Sequence, residues 1–280
     1  MPRLAIGAIG RSREVGCVEA ADTRLERDPA SAVRRLSEAF VDGLRPVLGE
    51  KLGAIYLYGA VAFPETTALG DVDFHVLLCE ALTDGERQAL RELRDRLASD
   101  FPPLGGELDG YYLLLDDARQ THAPRDELRP NLIDESFALH CAHLRAGRSI
   151  VLYGPDPRDV YPTPSWLLLE AALVGELDYV TAHLDRYPDY CVLNLCRLVY
   201  SFETRDVVTS KAAAAAWARG KFPEWERPIA LALKSYQKLA TPKEREILKA
   251  DLATFYRFAC GRIAAARDPA SGRAGAERAD

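Results

Sequence analysis

The strongest constraint on the fold is a change of pattern near residue 161. Before it, short apolar stretches rich in aromatic and β-branched residues alternate with helix-like segments. Beyond it, every long segment has helical periodicity. The strand-like stretches are 54–59, 72–78, 110–117 and the run that starts at Ser149. The sequence therefore predicts an α+β chain, in which a mixed sheet with helices is followed by an all-α helical bundle.

Shifts in composition set the expected domain boundaries. Residues 1–28 have no sustained periodicity and predict an N-terminal extension, and the small polar residues of 267–280 predict a disordered tail. Between them we expect a sheet-containing domain at 29–162 and a helical bundle at 163–266. The linker-like stretch YPTPSW joins the two domains.

The first two helices are marked by apolar spacing and by candidate caps. Ser31 is the candidate N-cap of the first, and Asp84 is the candidate N-cap of the second. The apolar stripe of the first helix consists of Val33, Leu36, Phe40, Leu44 and Leu48.

Composition argues against two kinds of partner. Lys and Arg total 36 against 42 Asp and Glu, and the net charge of −6 argues against nucleic acid. No run approaches the ~18 apolar residues that cross a membrane, so we expect no membrane association. The six cysteines have no zinc-site spacing and predict reduced thiols. We expect a cytoplasmic monomer.

Two aspartates stand close together at the start of the apolar stretch 72–78. Residues two apart on a strand point to the same face, so Asp71, Asp73 and His75 share one face. Neighbouring carboxylates on a buried sheet repel each other unless a cation neutralises them. Mg²⁺ suits such a pair, because it binds one or two carboxylates and takes further oxygens from phosphates and water.

A glycine ends the preceding strand-like stretch. Gly59 has no side chain, so a polyphosphate could approach the backbone N–H groups that follow it. A strand, a glycine turn and an Asp-x-Asp strand together predict a site for a metal-bound nucleoside triphosphate.

A third carboxylate would complete the site and should come from a neighbouring strand. Glu107 and Asp109 precede the apolar run YYLLL and are two residues apart, so either could face the aspartate pair. We favour Asp109, because it adjoins the regular part of the strand. Asp109 beside Gly110 is also a common turn pattern, and His75 is more typical of a buried core histidine than of a metal ligand.

These residues resemble a known family. The stretch YLYGAVAFPETTALGDVD is similar to the nucleotidyltransferase signature, and in particular to that of the streptomycin/spectinomycin adenylyltransferases. The resemblance continues in DGYYLLLDD, in DESFALHCAHLRAGRSIVLYGPDP and, most specifically, in VLNLCRLVYSFETRDVVTSKAAAAAWA and PEWERPIALALKSY. It covers roughly residues 50 to 240.

The resemblance implies a polymerase-β-like nucleotidyltransferase domain followed by a helical domain. It implies a transferase of the antibiotic-resistance type, with ATP as co-substrate, Mg²⁺ as metal and a small cationic, aminoglycoside-like acceptor. Asp71, Asp73 and Asp109 would be the catalytic and metal-binding residues, with Asp109 as the base that deprotonates the acceptor hydroxyl. Nucleotide contacts would come from Gly59, Ala60, Gly70, Arg197 and Lys211. Acceptor contacts would come from Glu107, Tyr187, Asp189 and Tyr190.

The sequence also departs from the family's pattern. Ala60 and Gly70 stand where the family has serines, and the base is an aspartate in place of a glutamate. Two alternatives therefore stay open. The chain could carry out the same chemistry on an acceptor other than an antibiotic, or it could bind nucleotide without turnover.

Overall fold

The computed structural model describes residues 29–64 and 71–268. The predicted extension at 1–28 lies outside the described residues, as does the predicted tail apart from Arg267 and Asp268. The described chain divides into two compact units. The sheet unit comprises 29–62, 71–134 and 149–160, and the helical unit comprises 63–64, 135–148 and 161–268.

The sheet unit holds a four-stranded mixed sheet. Its strands are β1 (Leu52–Tyr58), β2 (Val72–Leu78), β3 (Leu108–Leu114) and β4 (Ile150–Tyr153). Its α-helices are α1 (Pro29–Leu48), α2 (Asp84–Asp100), α3 (Leu115–Ala118) and α5 (Pro157–Val160), where α5 is numbered after α4 of the other unit. The strand order is β3-β2-β1-β4, with β2 and β3 parallel and the other neighbours antiparallel.

The two faces of the sheet differ in polarity, as the period of two requires. Val72, Phe74 and Val76 of β2 are buried in one apolar cluster with the predicted stripe of α1, which is confirmed in full. The ring centroids of Phe74 and Phe40 lie 5.0 Å apart, in an edge-on contact. The opposite face carries Asp73 and His75, so the predicted alternation is confirmed.

Both predicted helix caps are wrong. The first helix begins at Pro29, whose fixed φ suits the first turn, so Ser31 lies inside the helix. The second is capped by Thr83, and Asp84 is its first residue. Thr83 N–H donates to Glu86 Oε2 (2.6 Å) and Glu86 N–H donates to Thr83 Oγ1 (3.3 Å), which forms a capping box.

Strand limits also shift from their predicted positions. β1 ends at Tyr58, because Gly59 has a φ of +68° that a strand cannot hold. β3 starts two residues earlier than predicted, at Leu108, and gives way to α3 at Leu115. The stretch 72–78 is a strand with the predicted bounds.

The helical unit is built from six α-helices in the described part of the chain. They are α4 (Phe137–Arg145), α6 (Trp166–Ala182), α7 (Pro188–Thr204), α8 (Lys211–Lys221), α9 (Glu226–Tyr236) and α10 (Pro242–Arg267). Helix α7 is central, since ten of its residues are buried and it packs against α6, α8, α9 and α10. The expected α+β architecture is thus confirmed. Within residues 29–64 and 71–268, no helix is both long and apolar enough to cross a membrane.

Candidate active site

Asp73 and Asp109 are paired residues on adjacent parallel strands. The register of β2 and β3 sets Asp73 against Asp109, and the register of β1 and β2 sets Tyr58 against Asp73. Residues paired across a sheet present their side chains on the same face. A row of Tyr58, Asp73 and Asp109 therefore crosses three strands on the polar face. Asp71, the residue before β2, is half-buried at the end of the same strand.

Gly59 lies against this row. It opens a short 3₁₀ turn, Gly59–Ala62, directly after β1. A Cβ on residue 59 would stand 1.7 Å from Asp73 Oδ2 and 2.7 Å from Asp73 Cγ. The absence of a side chain at Gly59 is therefore a steric requirement of the Asp73 carboxylate. Ala60 follows in the turn and is half-buried, whereas Gly70 lies outside the described residues.

Burial and a neighbouring charge both act on Asp109. Desolvation raises the pKa of its carboxyl above the ordinary value, and the charge of Asp71 raises it further. The guanidinium groups of Arg129 and Arg94 act in the opposite direction. Tyr58 is buried, and its pKa lies well above the ordinary value because of desolvation and the negative charges of Asp134 and Asp73. The site thus concentrates negative charge on a poorly hydrated face.

Two arginines hold the outer edge of β3 around Asp109. Arg94 Nη2 donates to the carbonyl of Leu108 (2.5 Å) and Arg129 Nη2 donates to the carbonyl of Gly110 (2.6 Å). These are the carbonyls on either side of Asp109, and both point away from β2. Since β3 is an edge strand, they would otherwise need water or another strand.

Asp126 and Gly110 also hold β3 in position. Asp126 is fully buried, and its carboxylate accepts from the backbone N–H of Tyr112 (3.1 Å) and from Arg129 Nε (2.5 Å). A Cβ on residue 110 would stand 2.0 Å from the Phe74 carbonyl oxygen, so glycine lets β3 approach β2 closely. The position of Asp109 opposite Asp73 is thereby fixed from both sides of the strand.

His75 is a fully buried core histidine of the sheet unit. Its Nε2 lies 3.4 Å from Asp134 Oδ2, and both side chains are 0% exposed. Its ring lies 4.7 Å from that of Tyr58 and 6.1 Å from that of Tyr111, edge-on in each case. His75, two residues beyond Asp73 on β2, therefore packs with Asp134 and with two tyrosine rings.

Glu107 occupies a different kind of position from Asp109. It ends the 3₁₀ turn Leu104–Glu107 before β3, so it has no place in the strand register. The preference for Asp109 as the third carboxylate rests on that register.

The residues expected to contact nucleotide from the helical unit lie on α7 and α8. Lys211 is the first residue of α8, after the N-cap Ser210. Its Nζ lies over the rings of Tyr190 and Tyr236, 4.7 and 5.1 Å from their centroids. Arg197 lies on α7, where Nη1 donates to Asn194 Oδ1 (3.4 Å).

The expected acceptor residues Tyr187, Asp189 and Tyr190 gather at the start of α7. Asp189 accepts from the Tyr190 N–H (2.9 Å) and from Ser235 Oγ of α9 (2.8 Å). Tyr187 stacks on His183 with centroids 6.0 Å apart. Burial raises the pKa of Tyr190, so its hydroxyl stays protonated. Within the helical unit the structure brings Tyr190, Asp189 and Lys211 to one end of α7.

The carboxylates are a suitable ligand set for Mg²⁺. Asp71, Asp73 and Asp109 offer hard oxygen donors, and the charge of Asp71 adds to burial in raising the pKa of Asp109. A divalent cation would relieve this repulsion.

Sequence reasoning missed several residues that support the site. They are Arg94, Arg129, Asp126, Asp134 and Tyr236. Asp126 lies in a segment without periodicity, and Asp134 begins a stretch that resembles the family, but no local pattern indicates that either is buried. Tyr236 was part of a quoted stretch that resembles the family, but nothing in its spacing linked it to Lys211.

Comparisons with known proteins bear on both units. Residues 166–262 match the family model described as "Aminoglycoside adenylyltransferase, C-terminal domain". No curated protein sequence matches the chain significantly.

Two solved structures illustrate the structural similarity. One is the spectinomycin adenyltransferase AAD(9) from Enterococcus faecialis with ATP and spectinomycin, with a TM-score of 0.65 and 16% identity over 82% of this chain and 98% of that chain. The other is a Shewanella oneidensis HEPN toxin with its MNT antitoxin, with a TM-score of 0.26 and 19% identity over 54% of this chain and 91% of that chain. The first similarity shows a shared fold, and the second is too loose to support an argument. The resemblance expected from the sequence is confirmed at this level, in the helical unit by the family model and in the fold by the AAD(9) structure.

Proposed function

We propose that this chain, an aminoglycoside nucleotidyltransferase-like protein, transfers AMP from ATP to a hydroxyl group of an aminoglycoside-like acceptor in a Mg²⁺-dependent reaction. The observation that carries the proposal is the register pair of Asp73 and Asp109 beside the Cβ-free Gly59. Such a pair can bind a metal–phosphate complex, and the glycine leaves room for phosphates at the backbone. The helical-domain match supports the choice of an aminoglycoside-like acceptor.

The chain's own residues would perform the proton transfer and the positioning. Asp109 takes the proton from the acceptor hydroxyl, whose oxygen forms a bond to the α-phosphorus of ATP, while the bond to the β-phosphate breaks and pyrophosphate leaves. Asp71 and Asp73, together with Asp109, would hold Mg²⁺, which supplies charge neutralisation for the phosphates. The N–H groups after Gly59 offer further donors to phosphate oxygens.

The helical unit would supply contacts to both substrates. Arg197 and Lys211 are the proposed cations for the nucleotide phosphates, and Ala60 and Gly70 are likewise proposed as backbone contacts. Lys211 stands at a helix N-terminus, where cations are normally disfavoured and anions are favoured. The acceptor would meet Glu107, Tyr187, Asp189 and Tyr190, whose carboxylates and rings suit an amine-rich cation.

The proposal is tested by turnover with ATP, Mg²⁺ and a panel of aminoglycosides, measured as pyrophosphate release. We expect activity in the natural chain and its loss in Asp73→Asn. The control is Asp95→Asn, which changes an exposed aspartate on α2 of the same unit. Retained circular dichroism would show that the fold survives. Full activity in Asp73→Asn would overturn the assignment of the aspartates.

The same assay separates the two alternatives. Turnover with cell metabolites but none with aminoglycosides would indicate an acceptor of another class. Calorimetric binding of a non-hydrolysable ATP analogue without any turnover would indicate a nucleotide-binding protein, the alternative that Ala60 favours.

A further inference from the structure

His143 is a buried imidazole with a defined backbone partner. It lies on α4 and is 6% exposed. Its Nε2 is 2.8 Å from the carbonyl oxygen of Val207. Because a carbonyl only accepts, Nε2 carries the hydrogen and donates to Val207. The bond joins residues 64 positions apart in the sequence.

Val207 belongs to the connection between α7 and α8, residues 205–210. The Val207 carbonyl also accepts from the Thr209 N–H (3.0 Å), and the Asp206 side chain accepts from the Val208 N–H (2.8 Å). Val207, Thr209 and Ser210 are buried, although two of them are polar. The connection is therefore an ordered turn.

The end of this turn determines where Lys211 begins α8. Ser210 caps the helix by accepting from the Ala213 N–H (3.0 Å), and Lys211 is the next residue. Val207 and Lys211 are four residues apart, with the capped turn between them. Thr209 and Ser210 between them are buried and Ser210 is fixed by its capping bond, so a displacement of the Val207 carbonyl would be transmitted to Lys211.

The surroundings of His143 keep its imidazole neutral. The ring of Phe63 meets it edge-on with centroids 5.6 Å apart. Burial and the positive charge of Arg197 lower the pKa of His143 to about 3, with His140 acting in the same direction and Asp206 and the Val207 bond opposing them. At neutral pH the residue therefore acts as a hydrogen-bond donor and not as a cation.

We propose that His143 is a positioning residue, which fixes the 205–210 connection and thereby holds Lys211 in place for binding the nucleotide phosphates. The inference rests on the proposed function of Lys211. A leucine would fill the buried volume beside Phe63 without a polar group to satisfy, so the imidazole serves a purpose beyond packing. That purpose is the bond to Val207.

The test compares His143→Gln with His143→Leu in the full chain. Glutamine keeps a side-chain N–H donor at a comparable reach, whereas leucine keeps the apolar volume alone. The control is His122→Leu, which changes an exposed histidine. Dissociation constants for Mg·ATP are measured by calorimetry, KM for ATP and kcat by pyrophosphate release, and amide hydrogen exchange over 206–214 by mass spectrometry.

We expect His143→Leu to weaken Mg·ATP binding and raise KM for ATP by about 3- to 10-fold, as the loss of one buried hydrogen bond implies. We expect a smaller change in kcat, and faster exchange over 206–214. His143→Gln should restore exchange and affinity to near those of the natural chain.

Unchanged affinity and exchange in His143→Leu would overturn the inference. Should His143→Leu not fold, His143→Gln decides: protection and affinity close to those of the natural chain support the donor role, and natural protection over 206–214 with weak affinity contradicts it. If the natural chain binds no Mg·ATP, the proposed function fails and this inference fails with it. If the natural chain binds and His143→Leu binds equally well, only this inference fails.

Discussion

Gly59 and Asp73 approach each other so closely that a Cβ on residue 59 would stand 1.7 Å from Asp73 Oδ2. Gly59 also has a φ of +68°, a region that other residues occupy at a cost of about 1–2 kcal/mol. The glycine is thus required by the backbone conformation and by the neighbouring carboxylate. Any side chain here must displace the residue on which the proposed metal site depends.

We expect Gly59→Ala to lose transferase activity and to lower the free energy of unfolding by about 1–3 kcal/mol, because strain and a displaced carboxylate add together. Turnover and urea unfolding check both parts. The control is Gly85→Ala on α2, where a Cβ meets nothing within 4 Å. Alanine has the higher helix propensity, so the control should be neutral or slightly more stable. Normal activity in Gly59→Ala would show that Asp73 can move without consequence.

Much of the sheet unit follows from local pattern. The period of two in 72–78 predicted that Asp73 and Val72 lie on opposite faces, and β2 has this arrangement. The predicted pairing of the second strand with a carboxylate-bearing neighbour is also present, in Asp73 and Asp109. The alternation of a strand depends only on its own residues, so these features could be predicted from the sequence.

Most of the features that the sequence did not predict depend on residues far apart in the chain. Arg94 and Arg129 donate hydrogen bonds to β3 carbonyls that lie 14 and 19 positions away in the sequence, and no spacing rule predicts these bonds. The N-cap of α2 was predicted wrongly for a local reason. Thr83 and Asp84 are both acceptable N-caps, and the capping box with Glu86 selects Thr83. The sequence pattern does not determine hydrogen bonds between distant residues, or which of two neighbouring residues caps a helix.

The choice between Asp109 and Glu107 as base can be tested by removing each charge. We expect Asp109→Asn to lower kcat by about 10²–10⁴-fold with a smaller effect on ATP binding, since a general base acts on the acceptor. Glu107→Gln should mainly raise KM for the acceptor, because Glu107 is a proposed acceptor contact and lies outside the strand register that pairs Asp109 with Asp73. Kinetics with both substrates varied would separate the effects. A kcat loss in Glu107→Gln alone would reverse the assignment.

The stability of the helical unit should depend on pH through His143. Its pKa is about 3 in the folded chain, against an ordinary value near 6.5. Below about pH 6.5 the unfolded state therefore binds a proton that the native state does not bind, and the free energy of unfolding falls by up to about 1.4 kcal/mol per pH unit. This contribution is fully present above pH ~6.5 and is lost as the pH falls towards ~3.

The measurement is urea unfolding at about pH 7 and about pH 5, in the natural chain and in His143→Gln. The variant lacks the titrating group, so its stability should fall less between the two pH values. His122→Leu, an exposed control, should fall as the natural chain does. Equal losses in the natural chain and His143→Gln would mean that His143 does not titrate on unfolding.

Ala60 follows Gly59 in the turn, at the position where the resembling family has a serine. We therefore expect nucleotide handling to be weaker than a serine would make it. A serine hydroxyl would give a phosphate one hydrogen bond to a charged acceptor, worth about 1.5–3 kcal/mol. At about 1.4 kcal/mol per factor of ten, its loss weakens nucleotide handling by roughly 10- to 150-fold. The backbone N–H groups after Gly59 and the carboxylates of Asp71 and Asp73 remain, so the site should be attenuated and still active.

We therefore expect Ala60→Ser to strengthen Mg·ATP binding or raise kcat/KM for ATP by up to that factor, measured by calorimetry and steady-state kinetics. Ala62→Ser, at the last residue of the same turn, is the matched control for a hydroxyl added without the glycine-adjacent position. The turn's geometry favours residue 60, because it directly follows the glycine whose missing side chain opens the backbone beside Asp73. If serine at 60 leaves both quantities unchanged, the triphosphate does not lie against this residue, and the proposed placement of the phosphates along the Gly59–Ala62 turn is wrong.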